Sequence, residues 1–100
     1  MEVKDSDGRL EIELPEIVDL PAARELREHL LDVLGRDGTA ALTLQADRVA
    51  RLSTAAIQVM IAAGRDFAGG GRPFALVRPT ASIVEAFARL GLADELRKIT

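Results

Sequence analysis

Leu10, Ile12 and Leu14 alternate with Glu11 and Glu13, a period of two that sends apolar side chains to one face and carboxylates to the other. This predicts a half-buried strand. Pro15 stops or bends it, and Glu16 to Val18 can add a short second strand at a sheet edge, where proline is tolerated. The polar opening, Met1 to Gly8, ends in Ser6-Asp7-Gly8 and reads as a frayed start followed by a turn. Residues 1–9 are accordingly expected to be a flexible lead-in, and residues 10–100 the folded domain.

From Pro21 the period lengthens. Ala23, Leu26, Leu30, Val33 and Leu34 define an apolar helical stripe, opened by Asp19 and Pro21 and stopped by Gly35 and Asp37-Gly38. Arg24, Glu28 and Asp32 lie on the polar face, with His29 beside them as a solvated residue. Ala40 to Gln45 predicts a strand through the alternation of Leu42 and Leu44 with Thr43, and Ala46 to Leu52 a loop. Ile57, Met60, Ile61, Gly64 and Phe67 or Ala68 form a second helical stripe, with Ser53 or Thr54 as N-cap and Gly69-Gly70-Gly71 as the end. Phe74 to Arg78 is a further short strand, and Pro79-Thr80 leads into a helix carrying Ile83, Phe87 and Leu90, closed by Gly91. Leu92, Leu96 and Ile99 predict a last short helix packed back on the domain. Strands alternating with helices make an α/β fold: one domain with a small four- to five-stranded mixed sheet, covered mainly on one face by about four helices.

Size and charge narrow the function. A chain of 100 residues with 48% hydrophobic content buries about two-thirds of its unfolded surface in a single core. With 16 acidic and 13 basic side chains the net charge is −3, so the overall balance does not attract nucleic acid or an acidic membrane surface. The absence of cysteine removes disulfides, thiolate zinc sites and thiol catalysis. His29 is the only histidine, and no DxDxDG run supplies carboxylate ligands. No apolar run approaches the length of about 18 residues that a membrane span needs, and no basic-then-apolar leader is present, so the expected location is cytoplasmic. Phe67, Phe74 and Phe87 are the only aromatic residues, too few for a base- or sugar-stacking platform.

Candidate chemistry is sparse. Gly69 to Gly71 follows a helix and precedes a strand, the reverse of a phosphate-cradling loop, and GGGR lacks the GxxxxGK[ST] spacing. His29 has no nucleophile elbow to serve, and Glu11, Glu13 and Glu16 read as the solvated side of an edge strand. No catalytic residue, metal site or cofactor is expected. What remains is DRVARLSTAAIQVM: no acidic residue falls between Arg48 and Arg65, and Arg48 and Arg51 precede a hydroxyl pair at a helix start. Such a rim is locally positive and suits an anion or phosphoryl group. The simpler account is that Ser53 or Thr54 caps the helix.

The whole chain resembles a STAS domain, the module of bacterial anti-sigma factor antagonists and of the cytoplasmic tails of sulphate transporters. The resemblance rests on LTLQADRVARLSTAAIQVM, GGGRPFALVRPT and SIVEAFARLGLADEL, which follow the family's order of strand, DSSGLG-like motif opening a helix, glycine turn, strand, Ser/Thr-Pro-like turn and helix ending in Gly-Leu. It places Ser53 where the family has aspartate, Thr54 at the phosphorylated serine, Ala55-Ala56 at Ser-Gly and Ile57 at the leucine. The resemblance implies a partner switch. The unmodified domain docks on a kinase-type anti-sigma factor, a serine/threonine kinase, and phosphorylation of Thr54, with Ser53 second, releases it. Arg48, Arg51, Ser53, Thr54, Ala55, Gln58 and Val59 would form the partner surface. The loss of the aspartate at Ser53 and the presence of Gln58 in place of a small residue depart from the motif. A similar loosened motif with threonine occurs in STAS proteins of lipid-transport complexes or chemotaxis clusters. It implies the alternative of an adaptor subunit on an ABC transporter ATPase or a chemotaxis protein, without phosphorylation.

Overall fold

The computed structural model describes residues 1–6, 8–36 and 40–100. In chain order the elements are β1 (Val3–Ser6), β2 (Arg9–Glu13), β3 (Ile17–Val18), α1 (Leu20–Gly35), β4 (Ala41–Gln45) and β5 (Arg51–Leu52), followed by α2 (Thr54–Gly69), β6 (Phe74–Val77), α3 (Ala81–Arg89) and α4 (Ala93–Ile99). The main sheet has the order β1-β2-β4-β6, with β1 antiparallel and the other three mutually parallel.

Register explains why helices cover one face only. Ile12, Leu44 and Leu76 stand in line across the sheet and are buried, as are Leu10 and Leu42 in the neighbouring row. The row on the opposite face, Glu11, Thr43 and Ala75, is only half-buried. Side chains alternate between faces along each strand, so a single apolar face needs a single helical layer. Phe67, Met60, Leu26, Ile83 and Phe87 supply the helical side of that core.

Helix starts follow local capping chemistry. The Asp19 carboxylate accepts from the Ala22 amide at 3.1 Å, and Pro21 occupies the first turn of α1, where its missing donor costs nothing. The Asp37-Gly38 stop lies outside the described residues; within them α1 runs through Gly35, and the Arg36 amide donates to the Val33 carbonyl. Gly64 lies where α4 crosses α2, and a β-carbon there would come within 2.7 Å of Ile99 Cγ2.

Three details differ from expectation. Within residues 1–9, Val3 pairs with Ile12, and Ser6 with Arg9, in an antiparallel ladder, and Gly8 stands at φ 81°. Met1 and Val3 pack on the core. His29 is half-buried instead of solvated, and its Nε2 donates to the Met1 carbonyl at 3.1 Å. The loop from Ala46 to Leu52 ends in a strand, β5, which pairs in parallel with β3 (Ile17 with Arg51, Val18 with Leu52). β3 therefore leaves the main sheet rather than extending its edge.

Candidate partner-binding site

The carboxyl ends of β2, β4 and β6 and the starts of α2 and α3 meet at one end of the sheet, where open α/β folds place their ligands. The segment leading into α2 is fastened from several sides. Ala50 and Arg51 amides donate to the Glu16 carbonyl at 2.7 and 3.2 Å, and the Ser53 amide to the Val18 carbonyl at 2.9 Å. From the other side the Thr80 hydroxyl donates to the Val49 carbonyl at 2.7 Å and accepts from the Ile83 amide at 3.4 Å, so one side chain caps α3 and clasps the loop.

Ser53 and Thr54 have different surroundings. Ser53 is the N-cap: half-buried, with its Oγ accepting from the Ala56 amide at 3.1 Å. Thr54, the first helical residue, is exposed, and its hydroxyl has no hydrogen-bond partner among the described residues. Capping thus accounts for Ser53 and leaves Thr54 available. Gln58, one turn along, is also exposed, while Ala55 and Val59 are half-buried on the side toward α1.

The arginine rim is only partly assembled. Arg51 is exposed, and no carboxylate among the described residues pairs with it. Arg48 instead pairs with Glu13 (Nη1 to Oε1, 3.3 Å) and lines a separate depression of about 280 Å³ beside Met1, Lys4 and Leu14. A carboxylate thirty-five positions away in sequence thus offsets half of the positive rim. This contact is invisible to a scan of neighbouring residues.

Sequence reasoning passed over several residues at the same end. Ile17 pairs with Arg51 and leaves 49% of its surface exposed. Val84, one turn into α3 from the Thr80 clasp, is 47% exposed, and α3 packs against β5. Arg78, the one non-glycine residue with positive φ among the described residues (54°), donates from Nη2 to the Gln45 side-chain oxygen. The Arg78-Pro79 dipeptide at a strand end marks a turn there, but nothing local foretells a left-handed arginine. Among the described residues no group of His, Cys, Asp or Glu could hold a metal ion, and no helix is long and apolar enough to cross a membrane.

The family model described as "Mlab, STAS domain" matches residues 1–99. The chain belongs to the STAS-domain family. No curated protein matches it in sequence. Among solved structures, the chain is similar to the anti-sigma factor antagonist SpoIIAA in its unphosphorylated form, at 13% identity and a TM-score of 0.78, covering 93% of this chain and 82% of that one. At that identity the likeness establishes a shared fold: the mixed sheet and its helices follow the STAS arrangement.

Proposed function

We propose that this STAS domain is a protein-binding regulatory module of the anti-sigma factor antagonist type, docking on a kinase-type anti-sigma factor through the start of α2 and switched by phosphorylation of Thr54. The observation that carries this reading is the division of labour at the helix start: Ser53 holds the cap, and Thr54 presents an exposed, unbonded hydroxyl one residue later. The STAS fold shared with SpoIIAA supports it. A phosphate on Thr54 would add about 1.5 to 2 negative charges beside the positive end of α2, which the helix tolerates and an interface pressed against it does not.

The test is incubation of the chain with the kinase-type anti-sigma factor of its own cell and ATP, followed by intact mass and peptide mapping. The expected result is one phosphate on Thr54, retained in Ser53→Ala and lost in Thr54→Val, with Thr54→Glu weakening the complex at least tenfold, about 1.4 kcal/mol. No incorporation together with an unresponsive Thr54→Glu refutes the switch. The adaptor reading, a subunit of a transporter ATPase or chemotaxis assembly, draws on Ser53 standing where a carboxylate would orient the hydroxyl. It requires the opposite result: a stoichiometric complex indifferent to Thr54→Glu and broken by Val59→Asp.

A further inference from the structure

Beside the core-facing stripe of each long helix runs a second stripe of exposed and half-buried residues. On α1 it comprises Leu20, Arg24, Arg27, Leu31 and Leu34, and on α2 Ala55, Val59, Ala62 and Asp66; together they line a groove of about 440 Å³. Both stripes advance by alternating steps of three and four residues, the 3.5-residue repeat by which one helix receives another. Leu20 and Leu31 are 48% and 49% exposed, the small side chains of Ala55 and Ala62 allow close approach, and the exposed Asp66 is the one carboxylate of the lining, at the Leu34 end. The groove's centre is cationic. Arg24 and Arg27 are exposed and, among the described residues, pair with no carboxylate, leaving the lining more positive than a chain whose net charge is −3. Leu20 to Leu34 spans about 21 Å of helix, roughly four turns.

We infer that the α1–α2 groove receives an acidic amphipathic helix of a partner protein, about four turns long, with apolar residues over Leu20 and Leu31 and carboxylates about one turn apart over Arg24 and Arg27. Helix-in-groove recognition supplies the apolar contact, and the paired charges fix register and reject basic helices. The inference rests on reading α2 as a partner-facing helix and specifies what the partner brings.

Two fluorescent synthetic helices of equal length, each with one leucine seam flanked by glutamates in one and by lysines in the other, are titrated against the intact chain by anisotropy at low salt. The acidic helix is expected to bind at least tenfold more tightly. Arg24→Glu with Arg27→Glu reverses the preference, and Leu31→Glu abolishes binding of both; all three positions are exposed, and circular dichroism verifies the fold. Thr54→Glu changes the acidic-helix affinity less than threefold, so loss of groove binding and loss of the Thr54 switch are separate results. Equal affinity for both helices, or no binding of the acidic one, overturns the inference. So does concentration-dependent dimerisation of the chain alone that Leu31→Glu removes, since the occupant is then a second copy.

Discussion

Replacing Ser53 by alanine deletes the acceptor of the Ala56 amide, a 3.1 Å bond at a half-buried helix start, and removes no sizeable apolar contact. Loss of such a cap costs about 1 kcal/mol. In a domain of this size that corresponds to a fall in melting temperature of roughly 4 to 8 °C. Ser53→Asp keeps an acceptor at the same place and sets a negative charge at the positive end of α2, so its stability is expected to equal the parent's or exceed it by about 0.3 to 1 kcal/mol. Thr54→Ala removes an exposed hydroxyl that holds nothing, and stays within about 0.5 kcal/mol of the parent. Urea unfolding followed by circular dichroism, with thermal melts as a second probe, ranks the variants. If Ser53→Ala unfolds at the parent's midpoint, or Thr54→Ala loses as much as Ser53→Ala, the division between cap and free hydroxyl is refuted.

Arg72 is 9% exposed, donates to the Val33 carbonyl at 3.1 Å and the Ala40 carbonyl at 3.4 Å, and lies 5.0 Å over the Phe67 ring, so it satisfies the carboxyl end of α1. Arg72→Met is expected to cost about 2 to 4 kcal/mol, and Arg72→Lys to recover only part of it; an unchanged urea midpoint for Arg72→Met refutes that role. Gly64→Ala gains about 1 kcal/mol of helix propensity but drives a methyl into Ile99, an overpacking cost of about 1 to 3 kcal/mol. In a double-mutant cycle with Ile99→Ala the clash disappears, so the two substitutions are expected to couple by about 1 kcal/mol or more, and simple additivity refutes the contact.

The elements with strong local signals were legible in the sequence. The alternation at Leu10 to Leu14, the helical stripes of α1, α2 and α3, and the helix starts at Asp19 and at Ser53 or Thr54 depend on neighbours within a few positions, and chain order supplied the layer arrangement; that Ser53 rather than Thr54 holds the cap came from the structure. Residues whose state depends on distant partners were not legible. β1 offers one apolar residue, Val3, among Glu2, Lys4 and Asp5, and becomes a strand only because β2 presents a free ladder edge. β5 is two residues long and exists by pairing with β3. Arg72 looks like a solvated loop arginine until the Val33 and Ala40 carbonyls converge on it. At the candidate site the hydroxyl pair and Arg51 were visible from order alone, whereas the Glu13 contact of Arg48 and the Thr80 clasp join segments more than thirty positions apart.

The fastening of the segment before α2 sets how an encounter would proceed. Glu16 and Val18 hold it from beneath, and Thr80 from the flank, so its shape exists before any visitor arrives. Little ordering entropy is then left for association to supply, and the free and bound backbones are expected to superpose closely. Under the proposed function, capture would then be a matter of collision and orientation, responsive to ionic strength through Arg51, with residence time set by the quality of the fit.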